Sequence, residues 1–139
     1  HIPALIRRFR EARRAGADKV VMWGTGTPRR EFLHVDDMAD ASVHVMGLDR
    51  ATYEQHTSAM LSHINVGTGQ DVTIREVAEI IRDAVGFQGD IEYDSGKPDG
   101  TPRKLMNTAK LTALGCKPSI QLADGIRDTY RSFKAEVAA

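Results

Sequence analysis

The residues best equipped for chemistry stand in two short stretches. In VVMWGTGTPRREFLHVDDM (Val20 to Met38), a Trp, a Gly/Thr/Pro turn and two adjacent arginines lie between apolar runs. A guanidinium fork takes phosphate oxygens through two parallel hydrogen bonds, and an indole face stacks on a nucleobase. Trp23 and Arg30, with Arg8 from an earlier segment, therefore have the side chains to hold a base and a diphosphate. The same types also fit a plainer role, as solvated arginines around a core Trp. In DSGKPDGTPRK (Asp94 to Lys104), prolines and glycines expose backbone amides, and Asp99 offers acceptors to hydroxyls or a base edge. Arg103 or Lys104 can meet phosphate there. An ordinary surface turn has the same composition.

Other candidates are poorer. NVGTG (Asn65 to Gly69) is a glycine turn after an apolar run, but it lacks the GxGxxG fingerprint and reads as a tight strand exit. His1, His34, His44, His56 and His63 are dispersed, with no paired helical spacing and no cysteine partners, which argues against a metal site. Asp36 and Asp37 form an adjacent carboxylate pair, yet at a strand-to-helix junction they read as helix caps. Cys116 is the only cysteine, so no internal disulfide is possible; it reads as a packed neutral thiol in a reducing, cytoplasmic setting.

Composition narrows the function class. Nineteen Lys and Arg balance nineteen Asp and Glu, so the net charge is zero and a non-specific nucleic-acid binder is excluded. Hydrophobic content of 41% and charged content of 27% over 139 residues fit one small soluble domain. No apolar run approaches the roughly 18 residues of a spanning helix, and no signal peptide is visible. The sequence opens inside an apparent helix without Met, which reads as a piece of something longer or as a vector-derived His1.

The elements that must position these residues follow from periodicity. Ile2, Leu5, Ile6, Phe9 and Ala12 have helical spacing over residues 2–15, stopped at Gly16. Val20–Trp23 and Arg30–His34 read as strands about a Gly24–Pro28 turn, with a helix opened by Asp36 or Asp37. Residues 49–62 read as a loop with one helical turn. His63–Val66 reads as a strand. Thr73 with Glu76 has capping-box spacing for a further helix, faced by Ile74, Val77, Ile80, Ile81 and Val85. Asp90–Asp94 is a strand, Thr108–Leu114 a short helix, and a last helix carries Leu122, Ile126, Tyr130 and Phe133.

Taken in order, WGTGTPRREFLHVDDMADA, INVGTGQDVTIREVAEII, KPDGTPRKL, LTALGCKP and LADGIRDTYRSF resemble the C-terminal part of extended short-chain dehydrogenase/reductases acting on sugar nucleotides. The KPDGTPRKL turn together with the first segment resembles the members that epimerise and reduce a GDP-bound keto sugar with NADPH. The resemblance covers nearly the whole chain. It implies an α/β fold: a C-terminal substrate-binding lobe, residues 1–139, with some elements that would complete a Rossmann sheet. His63–Val66 and the helix from Asp36 are the expected sheet-completing elements. It implies GDP-sugar contacts at Arg8, Trp23, Arg30 and Asp99, and a weaker one at Lys104. The N-terminal NADP-binding Rossmann half is missing, so no cofactor is expected to bind this chain alone, and the chain alone is expected to be inactive. The family is typically a homodimer through that missing half.

Several positions depart from the family pattern. His1 is the candidate for the family's epimerisation acid/base but lies one residue late: either it is that His with a residue deleted, or it occupies the following branched position and the catalytic His is missing. Asn107 stands where an acidic residue is usual and Cys116 where an aromatic is. Tyr93 with Lys97, and Tyr130 with Lys134, match the Tyr-x-x-x-Lys spacing of the family's hydride chemistry but lie in the wrong places for it. Two other readings stay open: a non-catalytic nucleotide-sugar binding module, and the same lobe from a UDP- or dTDP-sugar enzyme.

Overall fold

The computed structural model describes residues 2–136 and is mixed α/β. Its elements are α1 (Ile2–Arg14), β1 (Lys19–Trp23), β2 (Arg29–Arg30), α2 (Val35–Met46), α3 (Arg50–His56) and β3 (Val72–Thr73). They continue with α4 (Ile74–Val85), β4 (Asp90–Asp94), β5 (Arg103–Lys104), α5 (Ala109–Ala113) and α6 (Leu122–Glu136). The chain forms two compact units. The first takes the residues up to Arg30, Val72–Arg103 and those from Gln121; the second takes Glu31–Asp71 and Lys104–Ile120.

In the first unit, β1 and β4 pair in parallel, Lys19 against Asp90 through to Trp23 against Asp94. Parallel neighbours need a crossover, and here α4 leads directly into β4. α1 packs on β1, and α4 packs on α1 and α6. The helices form because their apolar residues recur on one face: Ile6 and Phe9 on α1, Val77, Ala78, Ile81 and Val85 on α4 are all buried. Ile126 and Tyr130 of α6 join them, and Phe87 meets Phe9 edge to face at 5.7 Å. The Thr73–Glu76 capping box is present as expected, with Glu76 Oε2 accepting from the Thr73 amide at 2.6 Å and Thr73 Oγ1 accepting from the Glu76 amide at 3.1 Å. Gly86 closes α4 in the left-handed region. β2 pairs antiparallel with β3, Arg29 against Thr73 and Arg30 against Val72, in a small sheet ordered β3-β2-β5.

The second unit holds α2, α3 and α5 with long irregular connections. Its buried apolar residues are few: Ala41, Leu111 and Leu114. Val35, Val43, Met46, Met60 and Leu61 are exposed.

Three sequence expectations are corrected. The strand expected over Arg30–His34 is only Arg29–Arg30; residues 31–34 are irregular because the Glu31 carboxylate bonds to loop backbone. His63–Val66 forms no strand, since no neighbouring strand is there to take its backbone groups. Neither Asp36 nor Asp37 caps α2. The cap is His34, whose Nδ1 accepts from the Asp36 amide at 3.3 Å. Among the described residues, no helix is long and apolar enough to cross a membrane.

Candidate functional site

The site is assembled in the first unit where β1 and β4 end. Trp23, the last residue of β1, is 71% exposed, so its indole is a surface platform and not core. Strand pairing puts it opposite Asp94, and the Gly24 amide donates to the Asp94 carbonyl at 3.0 Å. The chain then turns sharply through Gly24 and Gly26, both at positive φ, which only glycine adopts without strain. Their missing side chains matter as well. A Cβ on Gly24 would collide with the Asp99 carboxylate, and one on Gly26 with the Tyr93 ring.

Asp99 fills the space over Gly24. Its Oδ1 accepts from the Thr25 amide at 2.9 Å, and its Oδ2 from the Thr25 hydroxyl at 2.6 Å. Arg30, half-buried on β2, donates from Nη1 to its neighbour Arg29's carbonyl and to the Thr101 carbonyl, each at 2.7 Å. The Arg29 amide donates to the Pro102 carbonyl at 2.8 Å. The Lys97 ammonium stands 5.7 Å from the Trp23 ring centroid, a cation–π distance. Arg75 completes the group: its guanidinium lies 3.9 Å over the Tyr93 ring, and its Nη2 donates to the Thr25 carbonyl at 3.0 Å. Burial pushes the Tyr93 phenol up, against the pull of Arg75, so the phenol stays neutral; among the described residues its buried hydroxyl has no hydrogen-bond partner.

The arrangement therefore gathers Trp23, Arg30 and Asp99 in one unit, beside exposed backbone and two further cations. Arg8 is exposed on α1 and is not part of this hydrogen-bonded set. Lys104 is exposed and belongs to the second unit. His1 lies outside the described residues. Three of the described histidines are occupied elsewhere: His34 caps α2, His44 Nε2 bonds with the Leu114 carbonyl at 2.8 Å, and His56 Nδ1 with the Thr52 carbonyl at 3.0 Å. Of the Tyr/Lys pairs, Tyr130 is a buried core residue with Lys134 4.9 Å from its ring centroid, while Tyr93 is covered by Arg75.

Sequence reasoning passed over Thr25, Lys97 and Arg75. Arg75 did carry a signal. A cation in the first turn of a helix opposes the macrodipole, a local misfit that points to a use elsewhere. Glu31 and Asp37 were also undervalued; both organise the second unit. Glu31 accepts from the Gly69 amide at 2.7 Å and the Met106 amide at 3.0 Å. Asp37, 5% exposed, accepts from the Ser119 and Ile120 amides at 2.9 and 3.0 Å and from the Ser119 hydroxyl at 3.1 Å. Burial acts to raise the Asp37 pKa, but those donors and the nearby His34 outweigh it and hold the carboxyl below its usual range.

The Gly67–Gly69 turn follows no strand among the described residues, so it is not the strand-to-helix glycine turn of a dinucleotide site; the first amides of α4 go to the Pro28 and Gly26 carbonyls and to Thr73 Oγ1. No group of three or more His, Cys, Asp or Glu among the described residues is placed to hold a metal ion.

Residues 1–67 match the NAD dependent epimerase/dehydratase family. The chain is 55% identical over 132 residues to GDP-L-fucose synthase of Escherichia coli (strain K12), covering 95% of this chain and 41% of that protein. It is 51% identical to the probable GDP-L-fucose synthase 1 of Oryza sativa subsp. japonica, over 98% of this chain and 39% of that one. Its fold matches the GDP-mannoheptose C4 reductase of Campylobacter jejuni, solved with NADP bound, at a TM-score of 0.81 and 36% identity, over 96% of this chain and 44% of the reductase. The chain spans about 40% of the length of the curated relatives it matches. Over nearly its whole length the chain is similar in sequence and fold to one part of GDP-L-fucose synthases and of a related GDP-sugar reductase.

Proposed function

We propose that these residues are the C-terminal, GDP-sugar-binding portion of an NADPH-dependent epimerase/reductase that converts GDP-4-keto-6-deoxy-D-mannose to GDP-L-fucose. The observation that carries this reading is the exposed Trp23 at the end of β1, with Lys97 of the KPDGTP loop at cation–π distance from its ring and Arg30 hydrogen-bonded to the same loop through the Thr101 carbonyl. Trp23 offers a stacking face to guanine, and Arg30 offers its guanidinium to the diphosphate. The similarity to GDP-L-fucose synthases over nearly the whole chain supports the choice of a GDP-linked sugar. Arg8 and Lys104 are assigned as outer cations, and His1 as the epimerisation acid/base.

Epimerisation beside a ketone requires an acid and a base, and reduction requires a hydride donor. These 139 residues contribute binding and orientation; the hydride chemistry is assigned to an NADP-binding half outside them, through which the whole enzyme dimerises. The chain by itself is then inactive.

Amide NMR titration of the labelled chain with GDP, UDP and ADP tests the reading. The expected result is shifts at Trp23, Arg30 and residues 97–101 with GDP, smaller shifts with UDP and ADP, and none in Arg30→Ala. Equal response to all three nucleotides would point to a lobe from another sugar-nucleotide enzyme. No response at these amides would overturn the site.

A further inference from the structure

The loop joining β4 to β5, residues 95–102, reaches both Trp23 and Arg30. Lys97 lies over Trp23, and the Thr101 carbonyl takes Arg30 Nη1. The middle of the loop is tied to the glycine turn through Asp99 and Thr25, whose amide and hydroxyl both donate to the one carboxylate. The Thr25 hydroxyl lies 2.7 Å from that of Thr27, and its oxygen accepts from the Thr27 amide at 3.2 Å, so the threonine is itself held. Gly24 makes the approach possible, because any side chain there would occupy the carboxylate's place. Both oxygens of Asp99 are thus directed at Thr25, inward to the turn.

We infer that Thr25 and Asp99 form a latch that holds the 95–102 loop on the turn, and that Thr25 is a positioning residue for nucleotide binding. The inference rests on the nucleotide-binding reading of Trp23 and Arg30, and it gives Asp99 a further role: the carboxylate holds the loop. The physical gain is preorganisation. A loop already ordered, with Lys97 on Trp23 and Thr101 on Arg30, loses less conformational freedom when a ligand binds.

The test uses Trp23 as its own reporter, since it is the only Trp in the sequence. Emission of the ligand-free 139-residue chain and calorimetric GDP affinity are compared for the wild type, Thr25→Val, Thr25→Ser, Asp99→Asn and Thr25→Val/Asp99→Asn. Thr25→Val is expected to change Trp23 emission and weaken GDP about tenfold, the worth of one hydrogen bond to a charged group at the low end. Thr25→Ser keeps the hydroxyl and should restore both readouts. The double variant should be no weaker than the worse single one, because both break the same latch.

Wild-type emission and affinity in Thr25→Val would overturn the latch. So would a change in GDP against inosine diphosphate discrimination in Asp99→Asn with Thr25→Val unaffected, which would make Asp99 a base reader. If Thr25→Val does not fold, Asp99→Asn decides, since unchanged emission in that isosteric variant also rejects the latch. Arg30→Ala separates the two levels: GDP binding unaffected by Arg30→Ala rejects the site reading, while the ligand-free emission still reports on the latch.

Discussion

Asp37 shows how one buried residue carries a local structure that its sequence position disguised. Its carboxylate takes three donors from Ser119 and Ile120 and so ties α2 to the segment after α5. Asp37→Ala would take the acceptor from the part-buried Ser119 and Ile120 amides, and the expected loss of stability is about 1 kcal/mol by chemical denaturation. The pH dependence has a definite sign. The folded carboxyl is held below the ordinary range, so its contribution is fully present above the unfolded-state pKa of about 3.9. It is lost as pH falls from about 4 through the lowered folded value, where the carboxylate is protonated. Denaturation midpoints of the wild type and Asp37→Asn should therefore converge below about pH 4; a constant gap from pH 7 to 3 would contradict the assignment. The sequence displayed Asp37 only as half of an acidic pair, because its partners lie about eighty residues away.

At the scale of elements, α4 was the most legible part of the chain. Its capping box, its apolar face and its left-handed glycine stop are all local, and all appear as the spacing requires. Thr73→Ala removes the acceptor for the Glu76 amide and the hydroxyl that donates to Glu76 Oε2, leaving only the bond from the residue-73 amide to Glu76. The expected cost is about 1 kcal/mol, read as a lower thermal midpoint, with Thr73→Ser close to wild type. An unchanged midpoint would mean that packing of α4 on α1 and α6, not the cap, sets its stability. By contrast, His63–Val66 has the apolar run of a strand and forms none. A strand needs a neighbour to take its amides and carbonyls, and periodicity says nothing of whether one is present.

At the scale of the whole molecule, the two units differ in how much apolar surface they bury. The first encloses Ile6, Phe9, Val77, Ile81, Val85, Phe87 and Ile126, while the second buries little beyond Ala41, Leu111 and Leu114. Met46 and Val43 of α2 instead stand 87% and 73% exposed. Local stability follows buried apolar contact, so hydrogen exchange should be slow through β1, α4 and β4 and markedly faster through α2 and α3. Equal protection in the two units would mean that the second is held by something other than its own core. Exposed apolar side chains in this number also mark a surface suited to contact with other protein.

What the sequence determined by itself was whatever depends on neighbours in the chain. Helix faces, the capping box, the glycine turns and the kinds of side chain available for a nucleotide all follow from residues within a few positions of each other. The family resemblance rested on such local segments too. Tertiary structure decided the rest. It made Trp23 a surface platform instead of core, turned Asp99 inward to Thr25, set Lys97 and Arg75 beside the turn, and kept Lys104 in the other unit. Each of those outcomes depends on parallel pairing of β1 with β4, which joins residues some seventy positions apart. Hydrophobic spacing can show that both strands exist, but their partnership is fixed only when α1, α4 and α6 find a common core.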